Sequence, residues 1–115
     1  MIVTCRFQFE AGHRLPEHPG ACRRPHGHGY KLHVSVRAAV EPRTGLAIDF
    51  HDLERVVRER VLPELDHRDL NEILENPTAE NIAAWVWGRL RESLPGLHEV
   101  RLEETEDCSI TYRGE

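Results

Sequence analysis

The chain has 115 residues, 39% hydrophobic and 30% charged, which suits one compact, soluble domain over residues 1–115. Its formal charge of −5 excludes a broad nucleic-acid surface, which would be basic, so an anionic ligand needs a local cluster of positive side chains. No apolar run approaches the roughly 20 residues that span a membrane, and Met1–Arg6 lacks a signal-peptide layout, so a cytoplasmic protein is expected.

Residues 2 to 13 alternate, with Val3, Cys5, Phe7, Phe9, Ala11 and His13 on one parity and Thr4, Arg6, Gln8 and Glu10 on the other. That pattern predicts a half-buried strand whose apolar face ends in His13. Residues 14 to 25 then form a polar loop with Pro and Gly, long enough to suggest a function. Alternation resumes with His26, His28, Tyr30, Leu32, Val34, Val36, Ala38 and Val40, a second strand that carries two histidines on its apolar face. Cys22 lies in the loop just upstream, where Pro25 opposes a helix. The three cysteines (Cys5, Cys22, Cys108) cannot all pair within the chain and read as free thiols of a reducing compartment.

If the two strands form an antiparallel hairpin, the end of the first lies beside the start of the second. His13 then meets His26 and His28 on one face. Three nitrogen ligands with an open fourth position suit a catalytic zinc, with Cys22 as a nearby reactive thiol. A structural site with Cys22 as fourth ligand, and no metal at all, are the competing readings.

Asp49 is a candidate N-cap for a helix from Phe50 to Leu62, with Leu53, Val56, Val57 and Val61 at helical spacing and Pro63 as its stop. Asp66 and His67 follow in a connection; a carboxylate beside an imidazole either orients it for proton transfer or is a chance loop pair. Thr78 is a candidate N-cap for a second helix ending near Leu94, with Trp85 and Trp87 read as packing residues. Two short strands close the chain, around residues 100–105 and 108–113. Glu104 is anomalous there because it shares the parity of Val100 and Leu102. A carboxylate on an apolar face needs a donor or a ligand, while Glu103 on the other parity is expected in solvent.

The predicted order is β-β-α-α-β-β, an α+β domain with a four-stranded antiparallel sheet and two helices on one face. Such a sheet leaves open edges, and pairing them between subunits predicts an oligomer.

Several stretches together resemble the 6-pyruvoyl-tetrahydropterin synthase family, nearly end to end. They are Phe9–His13, Cys22–His28, Ile48-Asp49-Phe50, Leu65-Asp66-His67 with Leu70-Asn71, Asn76–Asn81, and Glu104-Thr105 followed by Tyr112. Within the family, the three residues between Cys22 and His26 and the closing Tyr112–Glu115 look like the bacterial 6-carboxy-5,6,7,8-tetrahydropterin synthase branch of the queuosine (7-deazaguanine) pathway. The resemblance implies the tunnelling fold, an oligomeric barrel and usually a homohexamer of two stacked trimers. It implies a pterin triphosphate substrate, zinc on His13, His26 and His28, Cys22 as catalytic thiol, and Asp66 and His67 as proton-transfer partners. Glu104 would anchor the pterin with Thr105 beside it, since a carboxylate accepts paired N–H bonds from the pyrimidine ring. Arg23 and Arg24 either meet the triphosphate or are solvated. The expected reaction converts 7,8-dihydroneopterin triphosphate to 6-carboxytetrahydropterin with loss of triphosphate and acetaldehyde. The alternatives are a 6-pyruvoyl product, side-chain cleavage in folate synthesis, and a non-catalytic zinc-stabilised domain. The one departure, Ala79 where many relatives carry serine, touches the start of a helix.

Overall fold

Alternating side chains drive the two longest elements, β1 (Ile2–His13) and β2 (His26–Arg37), which pair antiparallel from Ile2 opposite Arg37 to His13 opposite His26. After them come α1 (Phe50–Arg60), the one-turn α2 (Leu62–Leu65), the two-residue β3 (Arg68–Asp69), α3 (Ala79–Leu90), β4 (Leu97–Glu103) and β5 (Ser109–Tyr112). This computed structural model describes all residues 1–115. Single 3-10 turns at Ala21–Arg23 and Leu70–Glu72 lie in the connections.

The sheet runs β3-β1-β2-β4-β5. The apolar parities of β1, β2 and β4 all face the helices. Phe7, Phe9, Tyr30, Leu32, Val34, Val100 and Leu102 pack there on Leu53, Val57, Leu65, Ile82, Val86 and Leu90, in one cluster of 20 buried residues. Both predicted caps form, since the Asp49 side chain accepts from the His51 N–H and Thr78 accepts from the Asn81 N–H.

The sheet departs from the expected four antiparallel strands. It has five, and β3 runs parallel to β1, with Ala11 opposite Arg68 and Gly12 opposite Asp69. So short a strand carries no alternation to read; it forms because His67 donates its backbone N–H to the Glu10 carbonyl at 2.6 Å, drawing the following residues onto the edge of β1. The first helix ends at Arg60 instead of Leu62. Pro63 does not stop it but sits in the first turn of α2, where no N–H is required. β2 ends at Arg37 and leaves Val40 exposed. The second helix ends at Leu90, though Leu94 remains buried and bonds back to the Leu90 carbonyl. Glu103 is not in free solvent: its carboxylate accepts from His33 Nε2 at 2.6 Å, a neighbour that the β2–β4 register supplies.

Candidate metal centre and its surroundings

The end of β1 and the start of β2 bring His13, His26 and His28 together, as the hairpin argument expects. Their ring centroids are 4.5 Å (His13–His26), 5.0 Å (His13–His28) and 4.9 Å (His26–His28) apart, all edge to face. One ring nitrogen from each lies within 4.8 Å of the others.

Carbonyl partners set two of the tautomers. His13 Nδ1 lies 2.7 Å from the Pro77 carbonyl and His26 Nδ1 lies 2.7 Å from the Arg24 carbonyl. A carbonyl only accepts, so each Nδ1 carries the proton and each Nε2 keeps its lone pair. The Nε2 atoms of His13 and His28 are buried with no hydrogen-bond partner. Unpaired buried nitrogens in a row of imidazoles are what a bound cation satisfies. Burial also holds His28 below the usual histidine range, with Glu104 opposing, which favours the neutral ring that a metal requires. The residues therefore fit a metal ion. Tyr30 closes the site below, fully buried with its hydroxyl 3.3 Å from His13 Nδ1; burial first, then Glu104, keep that hydroxyl protonated.

Cys22 lies half-buried in the 3-10 turn and is not among the grouped ligand atoms. Glu104 falls one residue past β4, and its Oε1 lies 3.6 Å from His28 Nε2. Thr105 is exposed, and its hydroxyl accepts from the Asp107 and Cys108 N–H groups, so it shapes the β4–β5 turn. Arg23 and Arg24 are exposed.

Asp66 and His67 form the expected pair, His67 Nδ1 to Asp66 Oδ1 at 2.9 Å. The Glu10 backbone grips both residues, its N–H donating to Asp66 Oδ1 at 3.1 Å and its carbonyl accepting from the His67 N–H. His67 adopts φ of +59°, a left-handed conformation uncommon outside glycine and often found at functional positions. It lines an open cleft of about 710 Å³ with Glu10, Gly27, Gly29, His26 and His28. Glu104 instead lines a separate cavity of about 370 Å³ with His18, Thr78, Ala79, Glu80 and Cys108. Within one chain, then, Glu104 reaches His28, while His67 opens into a cleft that it shares with His26 and His28 and that is separate from the Glu104 cavity.

The sequence profile described as 6-pyruvoyl tetrahydropterin synthase matches residues 2–115. The chain belongs to this family. Among its relatives, the 6-carboxy-5,6,7,8-tetrahydropterin synthase of Synechocystis sp. is 42% identical, over 96% of this chain and 92% of its own. The human 6-pyruvoyl tetrahydrobiopterin synthase is 32% identical, over 98% and 91%. The solved 6-pyruvoyl tetrahydropterin synthase of Caenorhabditis elegans superposes with a TM-score of 0.89 at 31% identity, covering 100% of this chain and 97% of that one.

Two contributors to the candidate site escape a motif reading. The Pro77 and Arg24 carbonyls act through the backbone, which no side-chain pattern reveals. Asn71 clamps the start of the long loop, its Oδ1 accepting from the Arg14 N–H at 2.8 Å and its Nδ2 donating to the Arg14 carbonyl at 3.0 Å. Tyr30 was legible in principle, because it shares the parity of His28 one step further along β2.

Proposed function

We propose that this chain is a zinc-dependent lyase that converts 7,8-dihydroneopterin triphosphate to 6-carboxy-5,6,7,8-tetrahydropterin, releasing triphosphate and acetaldehyde, in queuosine (7-deazaguanine) biosynthesis. The observation that carries this reading is the trio of imidazoles with lone pairs held ready beside the Glu104 carboxylate. The 42% identity to a 6-carboxytetrahydropterin synthase and the three residues between Cys22 and His26 support this product.

His13, His26 and His28 would hold the ion. Zinc bound there supplies Lewis-acid polarisation of the substrate's side-chain oxygens. Glu104 accepts the paired N–H donors of the pterin, with Thr105 setting the turn beside it. Cys22, left out of the ligand set, takes a side-chain proton as thiolate. His67, oriented by Asp66, returns or relays protons.

The separation of the Asp66–His67 cleft from the Glu104 cavity supports a site shared between subunits, in which a neighbouring chain brings this pair to Cys22. Open edges at β3 and β5 suit that assembly. The reading is thus one tunnelling-fold domain over residues 1–115, assembled into a barrel as a hexamer of two trimers and working in the cytoplasm. No helix is long and apolar enough to cross a membrane.

A 6-pyruvoyl product is the second reading, favoured by the solved neighbour with a TM-score of 0.89. Incubating the zinc-loaded protein with 7,8-dihydroneopterin triphosphate and weighing the products separates them. The proposal expects 6-carboxytetrahydropterin and acetaldehyde; a purely 6-pyruvoyl product would overturn it.

A further inference from the structure

The cavity that holds Glu104 is also lined by His18, a residue of the long loop that no motif picks out. Its volume of about 370 Å³ lies in the range of small-molecule sites, roughly 300–1,000 Å³. His18 is not a loose loop side chain. Its backbone N–H donates to the Leu15 carbonyl at 3.0 Å, and the Leu15 N–H donates to the Cys22 carbonyl at 2.8 Å, so the loop folds back on itself. The ring is fixed as well: the Gly20 N–H donates to His18 Nδ1 at 2.9 Å. A Cβ at position 20 would lie 3.2 Å from His18 Cε1, so glycine there lets the loop close against the ring.

The Gly20 contact decides the chemistry. A backbone N–H only donates, so Nδ1 must be the acceptor, and in the neutral ring the proton sits on Nε2. His18 therefore lines the cavity as a ring whose free N–H is a donor, while Glu104 lines it with an acceptor. The two groups are complementary to a 2-amino-4-oxopyrimidine edge, which presents two N–H donors next to a carbonyl acceptor. Glu104 satisfies the donors and leaves the carbonyl without a partner.

We propose that His18 is a substrate-contacting residue whose Nε2–H donates to the carbonyl of the heterocycle that Glu104 holds. The inference rests on the reading of Glu104 as the pterin anchor. It makes the loop 14–25 a two-part device, with Cys22 serving the side chain of the substrate and His18 serving its ring.

The test titrates the zinc-loaded protein with 2-amino-4-oxopteridine, followed by ligand fluorescence, with zinc content measured alongside. His18→Ala should weaken binding about fivefold, as expected for one hydrogen bond, at unchanged zinc content. His18→Gln should recover most of the loss, because its amide restores a donor. Gly20→Ala, which presses on the ring, should weaken binding in the same direction as His18→Ala. Glu104→Gln separates the two levels of the argument. If it weakens binding while His18→Ala does not, the anchor stands and the role of His18 is refuted. If Glu104→Gln leaves binding intact, the anchor fails and this inference with it. Equal weakening by His18→Ala and His18→Gln would reduce His18 to a matter of shape and overturn the donor assignment.

Discussion

His28 and Glu104 approach one another just beyond the paired part of β2 and β4, with Nε2 3.6 Å from Oε1. That distance is too long for a hydrogen bond, so His28 Nε2 stays unpaired. The arrangement suits a nitrogen reserved for a metal and a carboxylate reserved for a ligand, close enough for both to act on one small molecule.

Glu104→Gln should raise the dissociation constant for a pterin about 10- to 100-fold, the usual range for losing charge-assisted hydrogen bonds. Zinc content should not change. Ligand titration with metal analysis of the same samples checks both halves.

Asp66 and His67 predict a different signature. Asparagine tolerates the left-handed backbone that His67 adopts at φ +59°, so His67→Asn should keep the fold. Its kcat should fall by about 10²- to 10⁴-fold, the contribution of general acid–base catalysis. Circular dichroism and steady-state kinetics test the pair of expectations. Mixing inactive His67→Asn with inactive Cys22→Ala should restore part of the activity if subunits share sites.

Acid should act on the metal-free protein through His28, whose affinity for protons burial lowers in the folded state. The unfolded chain then binds the proton more readily, so folding stability is intact above the ordinary histidine value, about 6.5, and declines as pH falls through the lower folded value. Zinc keeps all three imidazoles unprotonated, so the loaded protein should resist acid further, until protons displace the metal. Melting temperatures of apo and zinc-loaded samples between about pH 7.5 and 5 measure this; an apo protein that gains stability on acidification in that window would contradict it.

Gly96 tests the packing at the end of β2 far from the site. A Cβ there would collide with the Arg37 carbonyl oxygen, where the Arg37 N–H also donates to the Gly96 carbonyl and the β2–β4 register shifts between Ser35 and Val36. Gly96→Ala should cost roughly 1–3 kcal/mol, as overpacking does. Urea denaturation reads the loss directly.

Much of this architecture is legible in the chain because its two long strands alternate without a break. Once His13, His26 and His28 share the apolar parity, antiparallel pairing alone brings them together. Glu104 stands out for the reverse reason, a carboxylate where the pattern calls for an apolar residue, although it lies just past the strand that seemed to contain it. What stays hidden depends on groups without a side-chain signature. The two-residue β3 pairs with β1 next to a backbone bond from His67 to Glu10, and the Pro77 carbonyl reaches His13 across 64 positions. The His33–Glu103 pair needs the exact β2–β4 register, which the sequence pattern leaves unspecified. The His18 contact with Gly20 is local, yet its meaning depends on which cavity the loop folds toward.

On the proposed reading, three imidazoles hold the metal and leave Cys22 free for chemistry. Metal analysis of purified Cys22→Ala tests it most directly. This variant should retain the zinc content of the unaltered protein, with turnover abolished. Loss of zinc from that variant would make Cys22 a ligand and overturn its role as the reactive thiol.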